Sequence, residues 1–219
     1  MKRVLLSLPT LLGLLMIDQL TIILLSSYTE KNYFLTPLEI VTVLVVSLLS
    51  VLYFLYWGKK QEYAEWSIKN FWLNKGKIIL GFLVILAVLM IYNAIMVAIK
   101  QVTVSANQQA LKGLQKHAPF LLMWFVVAVC GPIMEETIFR LAIFKLVFPQ
   151  KDKIALLVST LLFAFAHMQS EVTNLLAWPP YLMMGFILGY LFYRTKKIEV
   201  SVAVHGIWNT LAVVIQYLM

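Results

Sequence analysis

Seven long apolar stretches fill nearly the whole chain, and most of them are as long as a membrane-spanning helix. A transmembrane α-helix needs about 20 mostly apolar residues, because the hydrocarbon core of a bilayer is about 30 Å thick. The first stretch contains Asp18 and Gln19 and lacks a clear signal-peptide cleavage site, which favours a retained helix. We therefore expect an all-α, polytopic membrane helix bundle with seven transmembrane helices. The predicted helices cover residues 4–26, 38–57, 78–98, 119–148, 154–170, 175–193 and 198–218.

The fourth stretch, residues 119–148, is too long for one straight crossing. Its thirty residues would measure about 45 Å at 1.5 Å per residue, so this stretch should tilt or break. Gly131-Pro132 is the natural position for a break, because proline lacks a backbone donor and fits best in the first turn of a helix. A new helix that begins at Pro132 would be an eighth element and would carry Glu135 and Glu136 in its early turns.

The connections between the apolar stretches are too short for a soluble domain of useful size, since the longest are residues 58–77 and 99–118. Residues 58–77 alternate aromatic and charged side chains, which predicts an amphipathic helix on the inner membrane surface. We expect two parts along the chain. Residues 1–117 would hold the N-terminal transmembrane helices and the interfacial helix, and residues 118–219 would form a C-terminal helix core.

Composition and charge agree with a membrane protein of defined orientation. The chain is 62% hydrophobic and 13% charged with a mean hydropathy of +0.87, well above the roughly 45–50% apolar content of soluble domains. With the N-terminus inside, thirteen basic residues flank the inner helix ends and four flank the outer ends, as the positive-inside rule requires. The net charge of +8 thus predicts a multi-pass protein of the cell membrane with a cytoplasmic N-terminus and anionic lipid as a partner, without a nucleic-acid partner. The inner residues are Lys2, Arg3, Lys59, Lys60, Lys69, Lys75, Lys77, Lys145, Lys151, Lys153, Arg194, Lys196 and Lys197, and the outer ones are Lys31, Lys100, Lys112 and Lys116.

Ionisable side chains recur inside the C-terminal apolar stretches, where each costs at least about 2.5–3.5 kcal/mol to insert. Glu135 and Glu136 are adjacent, Arg140 follows, and His167 and His205 lie in two later stretches. Residues four apart share a helix face, so Glu136 should pair with Arg140 while Glu135 points elsewhere. Such residues normally face the interior of a bundle and mark a functional site.

Three short motifs contain these residues: EETIFR at 135–140, FAFAH at 163–167 and HGIWN at 205–209. In this order and at these spacings they resemble the EExxxR, FxxxH and HxxxN motifs of the CPBP, or Abi, intramembrane proteases. That family includes the type II CAAX prenyl endopeptidases and bacterial proteins linked to bacteriocin processing or self-immunity. The resemblance covers roughly residues 118–211. It implies an intramembrane protease whose catalytic residues are Glu135, Glu136, Arg140, His167, His205 and Asn209.

The resemblance also implies a division of roles among these six residues. Glu135, with His167, would activate a water molecule that attacks a peptide bond of a peptide or protein in or at the membrane. A carboxylate in a low-dielectric interior holds a proton more readily, which suits it to general-base catalysis. Peptide hydrolysis also needs oxyanion stabilisation and a proton for the leaving amine. Glu136 would pair with Arg140 and hold the geometry of the site. His205 and Asn209 would bind the oxyanion by hydrogen bonds.

Metal dependence stays open at this stage. No cofactor is expected, because the HExxH spacing is absent and Asn209 is a poor zinc ligand. Two histidines and a glutamate are nevertheless a known zinc set, so Glu135, His167 and His205 would be the ligands if zinc is present.

Two other functions fit the same polar residues. A noncatalytic membrane binding protein, such as a bacteriocin immunity protein or a sensor regulator, could use the same fold without cleavage. A proton-coupled transporter would also place Glu, His and Arg within helices, although the chain shows no internal repeat. Asp18, in the first stretch, is interpreted as a structural polar residue that bonds to a neighbouring helix, with a place in a substrate groove as the alternative. The sequence does not indicate an oligomeric state or a particular substrate.

Overall fold

The described part of the chain is built from helices alone. The computed structural model describes residues 2–29, 33–64, 66–101 and 104–218, with side chains from Leu6 onward, and every regular element within these ranges is helical. The all-α prediction is therefore confirmed. The helices are α1 (Lys2–Thr29), α2 (Pro37–Lys60), α3 (Ile68–Leu73), α4 (Lys75–Ala98), α5 (Ala106–Gln115), α6 (Phe120–Val147), α7 (Asp152–Met168), α8 (Trp178–Thr195) and α9 (Ile198–Leu218).

Six helices within the described residues are long and apolar enough to cross a membrane. They are α1, α2, α4, α6, α9, and α8 together with the short 3₁₀ turn Leu175–Ala177 that precedes it. The seventh predicted crossing corresponds to α7, which has 17 residues. The chain is therefore a multi-pass membrane protein, and the predicted count of seven crossings is approximate.

α6 crosses without the predicted break at Gly131-Pro132. Trp124–Cys130 and Thr137–Val147 are π-helical, and the short segment between them, Gly131–Glu136, is α-helical. In a π-helix each N–H bonds to the carbonyl five residues earlier, as the Gly131 N–H does to Val126. The chain passes Pro132 by changing its hydrogen-bond register within one span, and the predicted count of seven or eight helices is approximate.

The interfacial helix expected over residues 58–77 is much shorter than predicted. α2 continues to Lys60, and only α3 lies between α2 and α4. Glu62 and Trp66 have positive φ values of 56° and 41°, a conformation that interrupts a right-handed helix. The exposed side chains of α3 include Trp72 and Leu73, which still suits contact with a membrane surface.

α6 is the central helix of the bundle. In its most apolar stretch 56% of the residues are buried, against 17–33% for the other candidate spans. It packs against α1, α2, α7 and α9 and also contacts α8, while α4 packs on α8 and α9. Gly185 and Gly189 let α8 approach α7, since an added Cβ would lie 3.1 Å from Phe163 and 2.8 Å from Leu156, respectively.

Candidate active site

A buried ion pair on α6 forms the base of the site. Nε of Arg140 donates to Oε2 of Glu136 at 2.8 Å, and Nη2 donates to Oε1 at 3.4 Å. Both side chains are fully buried, and Nη1 of Arg140 also donates to the hydroxyl of Ser159 on α7. The pairing expected from the four-residue spacing is present. The ion pair provides each buried charge with the partner that it requires, and the bond from Arg140 to Ser159 joins α6 to α7.

α9 brings His205 onto this ion pair. Nδ1 of His205 lies 3.2 Å from Oε1 of Glu136, and only 2% of the His205 side chain is exposed. Because Glu136 already pairs with Arg140, its carboxylate is an acceptor and Nδ1–H of His205 is the donor. The other ring nitrogen, Nε2, then faces Oε2 of Glu135 at 3.9 Å.

α7 brings His167 to the same oxygen from another side. Nδ1 of His167 donates to the carbonyl of Phe163 at 2.9 Å, since a carbonyl can only accept. Nε2 of His167 lies 3.7 Å from Oε2 of Glu135. Phe163 is fully buried, and its ring contacts both His167 and His205. The two imidazoles thus share the same tautomer and present Nε2 to one carboxylate oxygen.

Glu135 is the member of the cluster whose side chain has the fewest hydrogen-bond partners. Its Oε2 is buried and accepts no hydrogen bond from the described residues. About a fifth of the side chain, 20%, is exposed, as is 17% of His167. The distances of 3.7 and 3.9 Å exceed the length of a direct hydrogen bond, so Oε2 of Glu135 keeps its capacity to accept a hydrogen bond from a bound molecule. The arrangement can therefore hold and polarise a small polar molecule beside Glu135.

Asn209 lies one turn beyond His205 and is engaged with the backbone of α6. Its Nδ2 donates to the carbonyl of Val127 at 2.9 Å. In the π-helical register that carbonyl would accept from residue 132, which is proline and has no N–H. Asn209 therefore satisfies a carbonyl that Pro132 leaves without a backbone donor. The oxyanion role expected of Asn209 stays a prediction, and this hydrogen bond would have to be exchanged for it.

The zinc alternative can be compared with the donor geometry. Zinc bonds of about 2.0–2.1 Å place tetrahedral ligand atoms about 3.4 Å apart. The two contacts of Glu135 Oε2 with Nε2 of His167 and His205 are wider, at 3.7 and 3.9 Å. Within the described residues no group of three or more His, Cys, Asp or Glu side chains is arranged to hold a metal ion. This arrangement does not fit a preformed zinc site.

Three residues around the cluster were not assigned to it by the sequence. Ser159 shares one face of α7 with Phe163 and His167, at spacings of four, so helical periodicity could have found it. Asp18 on α1 lies within electrostatic range of Glu135 and His205, and its sequence interpretation was a structural role, with a substrate groove as the alternative. Tyr181 on α8 stacks on His167, with ring centroids 4.9 Å apart, and no sequence pattern distinguished it from other aromatic residues.

The fold and the cluster define a class: a multi-pass membrane protein in which ionisable side chains of three helices converge within the bundle. Residues 117–211 match the family model described as type II CAAX prenyl endopeptidase Rce1-like. The match contains all six site residues predicted from the motifs and confirms the resemblance. Residues 117–211, which are less than half of the chain, are called the Rce1-like segment below, and their similarity to this family supports a membrane protease in general terms.

Curated relatives extend the comparison. The UPF0177 protein YvdC of Lactococcus lactis subsp. lactis strain IL1403 is 26% identical over 204 residues, which are 93% of this chain and 76% of YvdC. The membrane-embedded CAAX protease MroQ of Staphylococcus aureus strain USA300 is 30% identical over 152 residues, or 64% of this chain and 57% of MroQ. The UPF0177 protein in the abiGi 5′ region of Lactococcus lactis subsp. cremoris is 34% identical over 106 residues, 48% of this chain and 43% of that protein. The chain thus spans less than two thirds of MroQ and of the abiGi-region protein. No solved structure matches.

Proposed function

We propose that this protein is an intramembrane endopeptidase in which Glu135 and His167 activate a water molecule. The observation that carries the proposal is the convergence of two Nε2 atoms on one buried oxygen of Glu135 that has no hydrogen-bond partner among the described residues. A water held there would contact Glu135 and His167 at once. Glu135 and Nε2 of His167 are both hydrogen-bond acceptors in this arrangement, so each can accept a hydrogen bond from one O–H group of the water.

In the proposed reaction the water oxygen attacks the carbonyl carbon of the scissile peptide bond while Glu135 takes one proton. The tetrahedral intermediate that forms carries the negative charge on the former carbonyl oxygen. The proton then passes, with the help of His167, to the leaving nitrogen, and the C–N bond breaks. The products are a carboxylic acid and an amine, and Glu135 is returned to its starting state.

His205 could donate a hydrogen bond to the oxyanion only when both of its ring nitrogens are protonated. Its Nδ1–H is committed to Glu136, so Nε2 must also carry a proton in order to donate. Glu136 stabilises that imidazolium, and Arg140 in turn fixes Glu136. Preorganised donors of this kind contribute strongly to catalysis in a site of low dielectric. Asn209 would be a second donor, provided that its amide leaves the Val127 carbonyl.

The proposed substrate is a peptide or protein in or at the membrane, because the cluster lies among the membrane-spanning helices. MroQ is named as a CAAX protease, and the matching family model is described as a CAAX prenyl endopeptidase. A prenylated CAAX peptide is therefore one substrate to test. The proposed orientation places the N-terminus and the lysine-rich helix ends in the cytoplasm of a cell membrane.

The test of the proposed function does not require a known substrate. Membrane-associated peptides are compared by mass spectrometry in host cells that express the wild type, Glu135→Gln or the control Glu62→Gln. Glu62 is an exposed carboxylate outside the cluster. We expect uncleaved precursors to accumulate with Glu135→Gln only, because glutamine keeps the shape and cannot accept the proton. In vitro, a quenched farnesylated CAAX peptide and the same peptide without the lipid then test the lipid requirement.

The contrary outcome has a specific meaning. If the peptides are the same for wild type and Glu135→Gln and the host phenotype persists in both, the endopeptidase proposal is wrong and the noncatalytic binding function takes its place. Stoichiometric, tightly bound zinc in the purified protein would overturn the metal-free mechanism.

A further inference from the structure

The orientation of His167 depends on a helix end. His167 lies in the last turn of α7, which ends at Met168, and helix ends fray. Its bond to the Phe163 carbonyl comes from the same terminal turn of α7. In the proposed reaction Nε2 of His167 must nevertheless face Glu135, so a contact from outside α7 is needed to hold the ring.

Tyr181, near the start of α8, makes such a contact. Its ring is stacked on the imidazole of His167 with centroids 4.9 Å apart and planes 23° from parallel. On α7 itself, the ring of Phe163 contacts the imidazole at 4.6 Å. Two aromatic rings from different helices thus confine the His167 side chain. Aromatic stacking of this geometry contributes directional stabilisation beyond simple burial.

The hydroxyl of Tyr181 is held in turn by the start of α5. It lies 2.7 Å from the hydroxyl of Ser105, and Nδ2 of Asn107 donates to it at 3.4 Å. Ser105 is buried and also caps α5 by accepting from the N–H of Gln108 at 3.2 Å. The first turn of α5 is thus bound directly to the ring that contacts His167.

A second contact fixes the same end of α5 to the connection between α7 and α8. Oε1 of Glu171 accepts from the backbone N–H of Ala106 at 2.6 Å. At its other end α5 is joined to α9, where Gln115 donates to Gln216. α5 therefore lies across the end of the bundle opposite the lysine-rich end, and it is bound to the connection between α7 and α8 and to α9.

We propose that Tyr181 is a positioning residue that orients the imidazole of His167 toward Glu135, and that Ser105 and Asn107 at the start of α5 hold Tyr181 in place. The inference rests on the proposed function for its catalytic consequence. α5 precedes the Rce1-like segment, so a part of the chain outside that segment would control the geometry of the site. Tyr181 itself does not touch the reacting atoms.

The kinetic test compares three variants in bilayer nanodiscs with the cleaved peptide identified above. Tyr181→Leu should lower kcat by about ten- to hundredfold and leave KM within about twofold, because misorientation affects the transition state more than binding. Tyr181→Phe keeps the ring and loses only the hydroxyl contacts with α5, so its kcat should lie between those of Tyr181→Leu and the wild type. Tyr190→Leu, an exposed tyrosine on the same helix that lies away from His167, is the matched control and should behave as the wild type.

The role of α5 is tested by a double-mutant cycle. Ser105→Ala should lower kcat in the wild type by more than it does in Tyr181→Phe, because the hydroxyl contact is already lost in the second background. The capping bond to Gln108 is lost in both backgrounds and therefore cancels. Equal effects of Ser105→Ala in the two backgrounds would contradict the link between α5 and Tyr181.

A spectroscopic measurement decides the positioning role independently of activity. The chain has only three histidines, so ¹⁵N-histidine labelling gives three sets of ring resonances, assigned by substituting one histidine at a time. Tyr181→Leu should shift or broaden the resonances of His167 and leave those of His117 unchanged. Unchanged His167 resonances would overturn the inference. If instead His167 responds while Glu135→Gln cleaves as the wild type does, the positioning contact is real and the proposed function is wrong.

Discussion

At the scale of single residues, the buried pair Glu136–Arg140 organises the cluster. Arg140 supplies donors to Glu136 and to Ser159, and its guanidinium lies 5.4 Å above the ring of Phe163. Planar, multidentate donation of this kind distinguishes arginine from lysine. Glu136 is thereby held as an acceptor for His205, which sets the tautomer of that imidazole.

Removal of Arg140 should therefore destabilise the protein strongly. Arg140→Leu leaves the carboxylate of Glu136 buried without its cation, which typically costs about 3–5 kcal/mol. Urea unfolding in detergent, followed by tryptophan fluorescence, measures the change in the free energy of unfolding. Arg194→Leu, at an exposed position on α8, is the control and should change that free energy by less than about 0.5 kcal/mol. Equal stability of the two variants would contradict a structural role for the pair.

At the scale of elements, the contact between α6 and α9 depends on the irregular backbone of α6. Pro132 leaves the Val127 carbonyl without a donor, and Asn209 supplies one. The carbonyl of Ala128 lies 2.9 Å from the position that a Cβ would take at Gly206. Glycine at 206 thus permits close approach, and two positions of the HGIWN motif, 206 and 209, serve the packing of α9 on α6.

This interpretation predicts a compensating pair of substitutions. Asn209→Ala should lower the free energy of unfolding by about 1 kcal/mol, because an interhelical hydrogen bond is lost within the membrane. Pro132→Ala restores a backbone N–H near the Val127 carbonyl, so Asn209→Ala should cost less in that background. Thermal unfolding of the four proteins measures the coupling. Additive losses would mean that Asn209 acts elsewhere, for example on the oxyanion.

At the scale of the whole molecule, the site lies deep in the bundle and the two ends of the bundle differ. One end carries the lysine-rich helix ends, including Lys59 and Lys196, and the other is covered by α5. The N-terminal helices pack directly on the C-terminal ones, since α1 contacts α6 and α4 contacts α8 and α9. The environment of the cluster is therefore completed by helices that precede the Rce1-like segment.

The orientation of the bundle can be measured with introduced cysteines. Cys130 is the only cysteine and is fully buried, so it should contribute little background labelling. A membrane-impermeant maleimide should label Gln109→Cys on α5 in intact cells and label Lys59→Cys only after permeabilisation. We expect this pattern because the helix ends near Lys59 carry an excess of basic residues, and helix ends of this kind normally lie in the cytoplasm. The reverse labelling pattern would place the N-terminus outside.

Features that depend on local composition could be predicted from the amino-acid sequence. Apolar length and periodicity predicted an all-helical membrane bundle, because the hydrocarbon core requires about 20 apolar residues per crossing. The four-residue spacing predicted the pairing of Glu136 with Arg140, and the three motifs identified the residues that meet in the bundle. These features follow from neighbours along one helix, or from a resemblance that short motifs carry.

Features that depend on contacts between distant segments became evident from the packing of the helices. The continuous course of α6 past Pro132 and the bond from Asn209 to Val127 need a donor on another helix, which no local pattern reveals. Tyr181 likewise stacks on His167 and bonds to Ser105 at the start of α5. These contacts join three helices, whereas helical periodicity relates only residues of the same helix. Helical periodicity sets the face on which a side chain lies, whereas the packing of several helices determines which side chain it meets.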